Sequence, residues 1–154
     1  MLSVEEKREI EAELARYPYK QAVALDALHI VQQHRGWVSD EGLRDVAEFL
    51  GMSAAELDGL ATFYNLIYRK PVGRHVVKIC DSVSCWIMGY ENLRDHLLKK
   101  LGIRMGETTP DGRLTLLPIV CLGACDGAPA MMVDSDLHLN LTPEKVGQIL
   151  DSYE

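Results

Sequence analysis

The sequence lacks the marks of a membrane-spanning, secreted or nucleic-acid-binding protein. No uninterrupted apolar run approaches the about eighteen residues that a membrane-spanning helix needs. Basic residues number 16 against 23 acidic ones, so the formal net charge of −7 disfavours phosphate backbones and anionic lipid surfaces. Residues 1–15 are acidic and resemble neither a signal peptide nor a transit peptide. We therefore expect protein partners in a reducing cytoplasm, with no nucleic acid and no direct membrane insertion.

Motifs of common catalytic sites are missing as well. The chain has no G-x-G-x-x-G, no phosphate-binding P-loop, no G-x-S-x-G and no H-E-x-x-H. Its five histidines are scattered over different predicted elements, which is typical of surface and packing residues. We therefore assign no catalytic residue to this chain and expect it to carry electrons rather than convert a substrate.

Cysteine is the residue type that carries chemistry here. Cys80 and Cys85 are spaced C-x4-C, and Cys121 and Cys125 are spaced C-x3-C, so the four cysteines form two close pairs. Disulfides are rare in a reducing compartment, where paired cysteines more often bind metals. Zinc sites favour C-x2-C, whereas a 2Fe-2S cluster accepts longer intervals because each iron takes two cysteines. The spacing favours the cluster, with zinc, disulfide or free-thiol chemistry, and ordinary core packing as alternatives.

The residues around the cysteines suit an iron-sulfur centre. In the stretch CLGACDGAP, the small residues Gly123, Ala124, Gly127 and Ala128 let backbone N–H groups approach sulfur and offset the negative charge of a cluster. Trp86 follows Cys85 directly and is a candidate either for shielding the centre from water or for the ordinary core.

The pattern of apolar residues predicts an α+β chain with two regions. Residues 1–69 are expected to form a helical region of four short helices, of which the first and last open with the capping boxes Ser3–Glu6 and Ser53–Glu56. Residues 70–154 give the order β-α-β-β-α, which is typical of a thioredoxin-like α/β domain. Its predicted elements are strands at 75–80 and 113–120, a hairpin of AMMV and LHLNL, and helices at 90–101 and from Thr142 to near Tyr153.

Both cysteine pairs begin where a predicted strand ends. Cys80 closes the strand HVVKIC, and Cys121 follows the strand RLTLLPIV. Two short loops at neighbouring strand ends can bring four thiolates to one place, as a centre with four sulfur ligands requires.

The chain from Tyr17 onward resembles the NuoE family, the thioredoxin-like 2Fe-2S subunits of the NADH-dehydrogenase module of respiratory complex I. The resemblance depends on the stretches IVQQHRGWVSDEG, LATFYN, PVGRHVVKICDSVSCWIMGYENL, GETTPDGRLTLLPIVCLGACDGAPAMMV and LTPEKV, which follow one another in the family's order. Many relatives have an acidic residue at the position of Val120, and we expect its loss to raise the cluster potential. The likeness to thioredoxins also raises the question of a cis peptide bond before Pro129.

The resemblance implies that Cys80, Cys85, Cys121 and Cys125 are the ligands of a 2Fe-2S cluster. It implies that the helical region docks on a NuoF-like flavoprotein subunit carrying FMN, a 4Fe-4S cluster and the NADH site. The cluster would exchange single electrons with that flavin in NADH:quinone oxidoreductase, on the cytoplasmic face of the inner membrane. NAD-linked formate dehydrogenases or hydrogenases, a stand-alone ferredoxin and a zinc-stabilised scaffold remain the alternatives.

Overall fold

A computed structural model describes residues 1–153 of the chain, which divides into two compact units. The first unit spans Met1–Pro71, and the second begins at Val72. Within residues 1–153, no helix is both long and apolar enough to cross a membrane.

The first unit consists of four α-helices, as predicted. They are α1 (Val4–Leu14), α2 (Ala24–Arg35), α3 (Asp40–Leu50) and α4 (Ala54–Phe63), with a single 3-10 turn at Lys20–Val23 before α2. The capping boxes predicted at Ser3–Glu6 and Ser53–Glu56 are confirmed, because each serine side chain accepts from the glutamate N–H while the glutamate bonds back to the serine backbone. Helices α2 and α3 end at Gly36 and Gly51, which adopt the left-handed conformation that stops a helix.

An apolar core and one buried ion pair hold the helical unit together. The core includes the fully buried Ile10, Leu28 and Leu50. The Glu6 carboxylate is 2% exposed, and its two oxygens accept from Arg35 at 2.6 and 2.7 Å, joining α1 to α2. This hydrogen bonding lowers the pKa of Glu6 from 4.5 to about 2, although burial opposes the shift.

The second unit contains a four-stranded sheet in the order β2-β1-β3-β4. Its elements are β1 (His75–Cys80), α5 (Val83–Ile87), α6 (Tyr90–Leu101), β2 (Leu114–Ile119), β3 (Met131–Val133), β4 (Asp136–His138) and α7 (Pro143–Asp151). Strands β1 and β2 are parallel, whereas β3 and β4 join antiparallel. The predicted order β-α-β-β-α is confirmed, with the short helix α5 added to it.

Burial of the strands follows from their composition. Strand β1 is rich in β-branched residues and is buried from Val76 to Cys80, as expected for a strand covered on both faces. The core of this unit includes Ile79, Leu97, Leu116 and Met131. Cys80 ends β1 and Cys121 follows the last residue of β2 by two positions, so this core lies in the same strands that lead to the two cysteines.

The last strand is shorter than the sequence indicates, and it begins and ends at earlier residues. The stretch LHLNL predicts a strand at 137–141, but β4 covers only Asp136–His138. The next residues bond to the cysteine-bearing segment instead: the Asn140 N–H donates to the Gly127 carbonyl at 2.7 Å, and the Leu141 N–H to the Pro129 carbonyl at 3.1 Å. Residues 139–141 thus lie alongside the segment that carries Cys125.

Candidate metal centre

The parallel pairing of β1 and β2 places two cysteines at one edge of the sheet. Cys80, the last residue of β1, is in register with Ile119, the last residue of β2. Cys121 follows two residues later, and the Cys80 thiol lies 3.8 Å from the Val120 carbonyl oxygen between them. The carboxyl ends of parallel neighbours meet at the same edge, so the expected convergence of the two strand ends is confirmed.

Cys85 lies on a short helix that the sequence pattern does not indicate. The segment DSVSCWIMG is predicted as a loop, but Val83–Ile87 form the short helix α5, with Ser82 as its N-cap residue. Five residues are too few for a helical repeat of apolar residues to stand out in a sequence. Helix α5 buries Cys85 to 2% exposure while its other large side chains face outward.

Cys121 and Cys125 lie in an exposed loop with their sulfur atoms close together. The two Sγ atoms are 3.9 Å apart. Two thiolates on one tetrahedral metal ion at about 2.3 Å lie about 3.8 Å from each other, so this pair already has the separation that one iron or zinc requires. Gly123 adopts φ +72° between them, and its N–H donates to the Cys121 sulfur at 3.3 Å.

The environment of Cys85 links the two pairs. Burial raises the pKa of the Cys85 thiol to about 11, with further upward contributions from a hydrogen bond and charge at Cys80 and from the charge of Cys125. The backbone N–H of Ala130 opposes this shift by donating to the Cys85 sulfur. Cys85 is therefore within electrostatic range of both Cys80 and Cys125.

The four cysteines can be divided between two metal ions. Among residues 1–153, no three His, Cys, Asp or Glu side chains surround one point at which a single metal ion could sit. A structural zinc ion needs four ligands around one point, whereas a 2Fe-2S cluster divides its four cysteines between two irons. One pair at tetrahedral separation beside a second, buried pair suits that division.

Backbone groups of Gly123 and Ala130 interact with cysteine sulfurs. The N–H from Gly123 confirms one of the donors predicted in CLGACDGAP. The N–H from Ala130 was not predicted. Ala130 directly follows Pro129, and the Ala128–Pro129 peptide bond is cis. N–H groups aimed at sulfur are the donors that an anionic iron-sulfur centre uses.

Exposed apolar side chains lie beside the cysteines. Val83, Trp86, Ile87 and Met88 are 57–70% exposed and form what we call the α5 apolar patch. Trp86 itself is 57% exposed, so the second of its two predicted roles, as a residue of the ordinary core, is wrong. Val120, next to Cys121, is 70% exposed and carries no charge. Apolar exposure on this scale is typical of a surface that another protein covers.

Comparisons with known proteins agree with this geometry. A family model described as thioredoxin-like 2Fe-2S ferredoxin matches residues 10–154. The E subunit of the NADH-quinone oxidoreductase of Escherichia coli (strain K12) is 49% identical over 153 residues, covering 99% of this chain and 92% of that protein. The corresponding E subunit of Pseudomonas aeruginosa is 46% identical over the same shares of both chains.

A solved structure shares the fold. Part of an NAD+-reducing NiFe hydrogenase superposes with a TM-score of 0.72 at 24% identity, over 85% of this chain and 22% of that one. Because the identity is low, this likeness concerns the fold alone.

Proposed function

Because the chain belongs to the thioredoxin-like 2Fe-2S ferredoxin family, we propose that it is the NuoE-type electron-transfer subunit of an NADH:quinone oxidoreductase. Relatives named as the E subunits of such complexes align along nearly the whole chain at 40–49% identity. The observation that carries the proposal is the placement of two cysteine pairs at the carboxyl edge of β1 and β2, with one pair at the separation that a tetrahedral iron requires.

The proposed ligands are Cys80, Cys85, Cys121 and Cys125. Cys121 and Cys125, 3.9 Å apart, would hold one iron, and the buried Cys80 and Cys85 would hold the other. When bound, a 2Fe-2S cluster supplies a one-electron acceptor and donor. The N–H groups of Gly123 and Ala130 would then donate to ligand sulfurs and stabilise their negative charge.

Burial of two of the four proposed ligands would exclude water from one side of the centre. Cys80 and Cys85 are 3% and 2% exposed, so one side of the centre would be dry while the side at Cys121 and Cys125 would face outward. Electrons would enter and leave through the outward side, because only there can a redox partner approach closely.

The proposed partner is a NuoF-like flavoprotein subunit that carries FMN, a 4Fe-4S cluster and the NADH site. This chain has no dinucleotide-binding motif, so NADH must give its hydride to a cofactor on another chain. The α5 apolar patch and Val120 supply an uncharged contact surface beside the cysteines. Attachment of the helical region to the same partner, and a peripheral position on the cytoplasmic face of the inner membrane, belong to this proposal.

Metal analysis and spectroscopy test the ligand set. Protein purified without oxygen should contain two irons and two sulfides per chain and give an EPR signal after reduction with dithionite. Replacing Cys121 by Ala should abolish or strongly alter that signal, whereas replacing the exposed Ser135 should leave it unchanged. A colourless, zinc-loaded protein, or an unchanged spectrum in Cys121→Ala, would contradict the proposal.

Co-purification from the native membrane tests the host complex. We expect the chain to appear together with a flavoprotein that oxidises NADH and with quinone-reducing activity. Recovery with hydrogenase or formate dehydrogenase activity, or as a free ferredoxin, would replace the proposed host with one of those alternatives.

A further inference from the structure

The two cysteine pairs share one chemistry but differ in their access to solvent. Cys121 and Cys125 are exposed, whereas Cys80 and Cys85 are almost completely buried at 3% and 2% exposure. Thiol oxidation by a soluble reagent depends on contact between sulfur and reagent. The difference in exposure therefore divides the four cysteines into a reactive pair and a protected pair.

The exposed pair also has the geometry for a disulfide. Its Sγ atoms are 3.9 Å apart and would need to approach by about 2 Å to reach the bond length of a disulfide. The loop between them contains Gly123, whose lack of a side chain permits the change of backbone angles that this approach requires.

We propose that Cys121 and Cys125 form a reversible intramolecular disulfide in the chain before it receives its metal centre. A thiolate of the pair attacks a sulfur of oxidised glutathione, giving a mixed disulfide and releasing one glutathione thiol. The second thiolate attacks the protein sulfur of this mixed disulfide, the Cys121–Cys125 bond forms, and a second glutathione leaves. Two protein thiols are oxidised while one glutathione disulfide is reduced to two thiols, which take up the two protons.

The buried pair serves as an internal control for this chemistry. Cys80 and Cys85 form the other close pair in the sequence, yet their burial at 3% and 2% exposure denies a glutathione disulfide the access to sulfur that exchange requires. Only the exposed pair should therefore oxidise in the folded chain.

The disulfide has a consequence for loading of the metal centre. With Cys121 and Cys125 joined, half of the proposed ligand set cannot bind iron, and a reductant restores it. This consequence rests on the proposed function, whereas formation of the disulfide does not.

Mass spectrometry tests the proposal, because trypsin separates the two pairs into peptides 79–94 and 114–145. The full chain is stripped of metal, reduced, desalted, treated with oxidised glutathione, alkylated and digested. We expect peptide 114–145 to carry no alkyl group and to be two hydrogens lighter than the same peptide with free thiols. Peptide 79–94 should carry two alkyl groups. A disulfide within 79–94, a link between the two peptides, or full alkylation of both would overturn the proposal.

A parallel reaction in guanidinium shows whether the fold selects the pair. All four cysteines are accessible in the unfolded chain, so both peptides should then oxidise. A native pattern identical to the unfolded one would contradict the inference. In Cys121→Ser, Cys125 should keep a glutathione adduct because no second thiol can displace it, whereas Cys80→Ser should still form the 121–125 disulfide.

Reconstitution separates this inference from the proposed function. The oxidised chain should not assemble a 2Fe-2S centre until it is reduced, as followed by visible absorption. A reduced chain that never assembles the centre defeats the proposed function but leaves the disulfide result standing. A chain that assembles the centre while peptide 114–145 stays fully alkylated after glutathione treatment defeats only this inference.

Discussion

The helical unit and the sheet-containing unit each bury an apolar core of their own, yet all four cysteines lie in the second unit. In the helical unit the buried charge of Glu6 is neutralised by Arg35 of the same unit. In the second unit two cysteine sulfurs are buried at a sheet edge whose proposed role requires a cofactor from outside. The buried Glu6 carboxylate of the first unit is therefore satisfied within that unit, whereas the proposed role of the second unit's cysteines depends on a cofactor that it binds.

The positions of the two tryptophans make this comparison measurable. Trp37 lies in the helical unit and Trp86 in the second unit, so a Trp86→Phe background leaves fluorescence from the helical unit alone. Absorption of the metal centre reports on the second unit. The substitutions below use these signals to test whether the two units respond independently.

Core truncation should give the largest effects. Leu28 and Leu97 are both fully buried, in the helical unit and the second unit respectively. Replacing either by Ala should lower the free energy of unfolding of its unit by about 2–5 kcal/mol. Denaturant titration should show that Leu28→Ala leaves the visible spectrum of the metal centre intact, while Leu97→Ala reduces metal retention. Equal loss of metal in both variants would mean that the two units unfold together.

The Glu6–Arg35 pair should make the helical unit sensitive to acid. Since the pKa of Glu6 is lowered to about 2 in the folded state, its contribution is complete above about pH 4.5 and disappears as the pH falls toward 2. Glu6→Gln should therefore cost about 3 kcal/mol at pH 7 and progressively less in acid.

Trp37 fluorescence during denaturant titration at several pH values measures this dependence. The exposed Glu11 on the same helix supplies the control, and Glu11→Gln should have little effect at any pH. A Glu6→Gln deficit that stays constant between pH 7 and pH 2 would contradict the assignment.

Two glycines should respond to alanine in opposite directions. A Cβ on Gly127 would lie 2.8 Å from Leu139 Cδ1 and 2.9 Å from its Cβ, so Gly127→Ala should destabilise the second unit by about 1–3 kcal/mol and weaken metal retention at the proposed ligand Cys125. Gly59 in α4 has open space there, and Gly59→Ala should stabilise the helical unit by about 0.5–1 kcal/mol. Thermal melting and metal content measure both effects, and adding Leu139→Ala should restore much of the loss in Gly127→Ala.

Helix caps should give the smallest and most equal effects. Ser53 caps α4 in the helical unit, and Thr142 caps α7 in the second unit. Because a cap acts locally, Ser53→Ala and Thr142→Ala should each cost about 1 kcal/mol without changing the spectrum of the metal centre. Hydrogen exchange at the first turn of each helix checks this, and a cost far from equal would show that one cap does more than close its own helix.

Local signals explain why much of the fold could be predicted from the sequence. Capping boxes at Ser3 and Ser53 and the glycine stops at Gly36 and Gly51 depend on neighbouring residues only. Strand β1 was predicted from its β-branched composition. Helix α5 could not be predicted, because a five-residue helix shows no repeat of apolar residues. The end of β4 could not be predicted either, because residues within 139–141 bond to a segment ten or more residues away in the chain.

The candidate site follows the same rule. The spacing of the cysteines and their position after strands predicted the convergence at one sheet edge, since parallel strands fix that geometry. The Ala130 N–H donor and the contrast in burial between the pairs arise from tertiary packing, so no local pattern could predict them. Docking of the helical region on a flavoprotein stays a prediction.

The order of the strands along the chain also bears on how the protein is synthesised. Cys80 and Cys85 leave the ribosome well before β2 and Cys121, and Ala130 with β3 follows later still. A nascent chain with only the first pair has no partner strand beside β1 and no complete set of sulfur donors. With all four cysteines as ligands, as proposed, cofactor insertion would wait until translation is nearly finished, so the growing polypeptide would not be metallated prematurely.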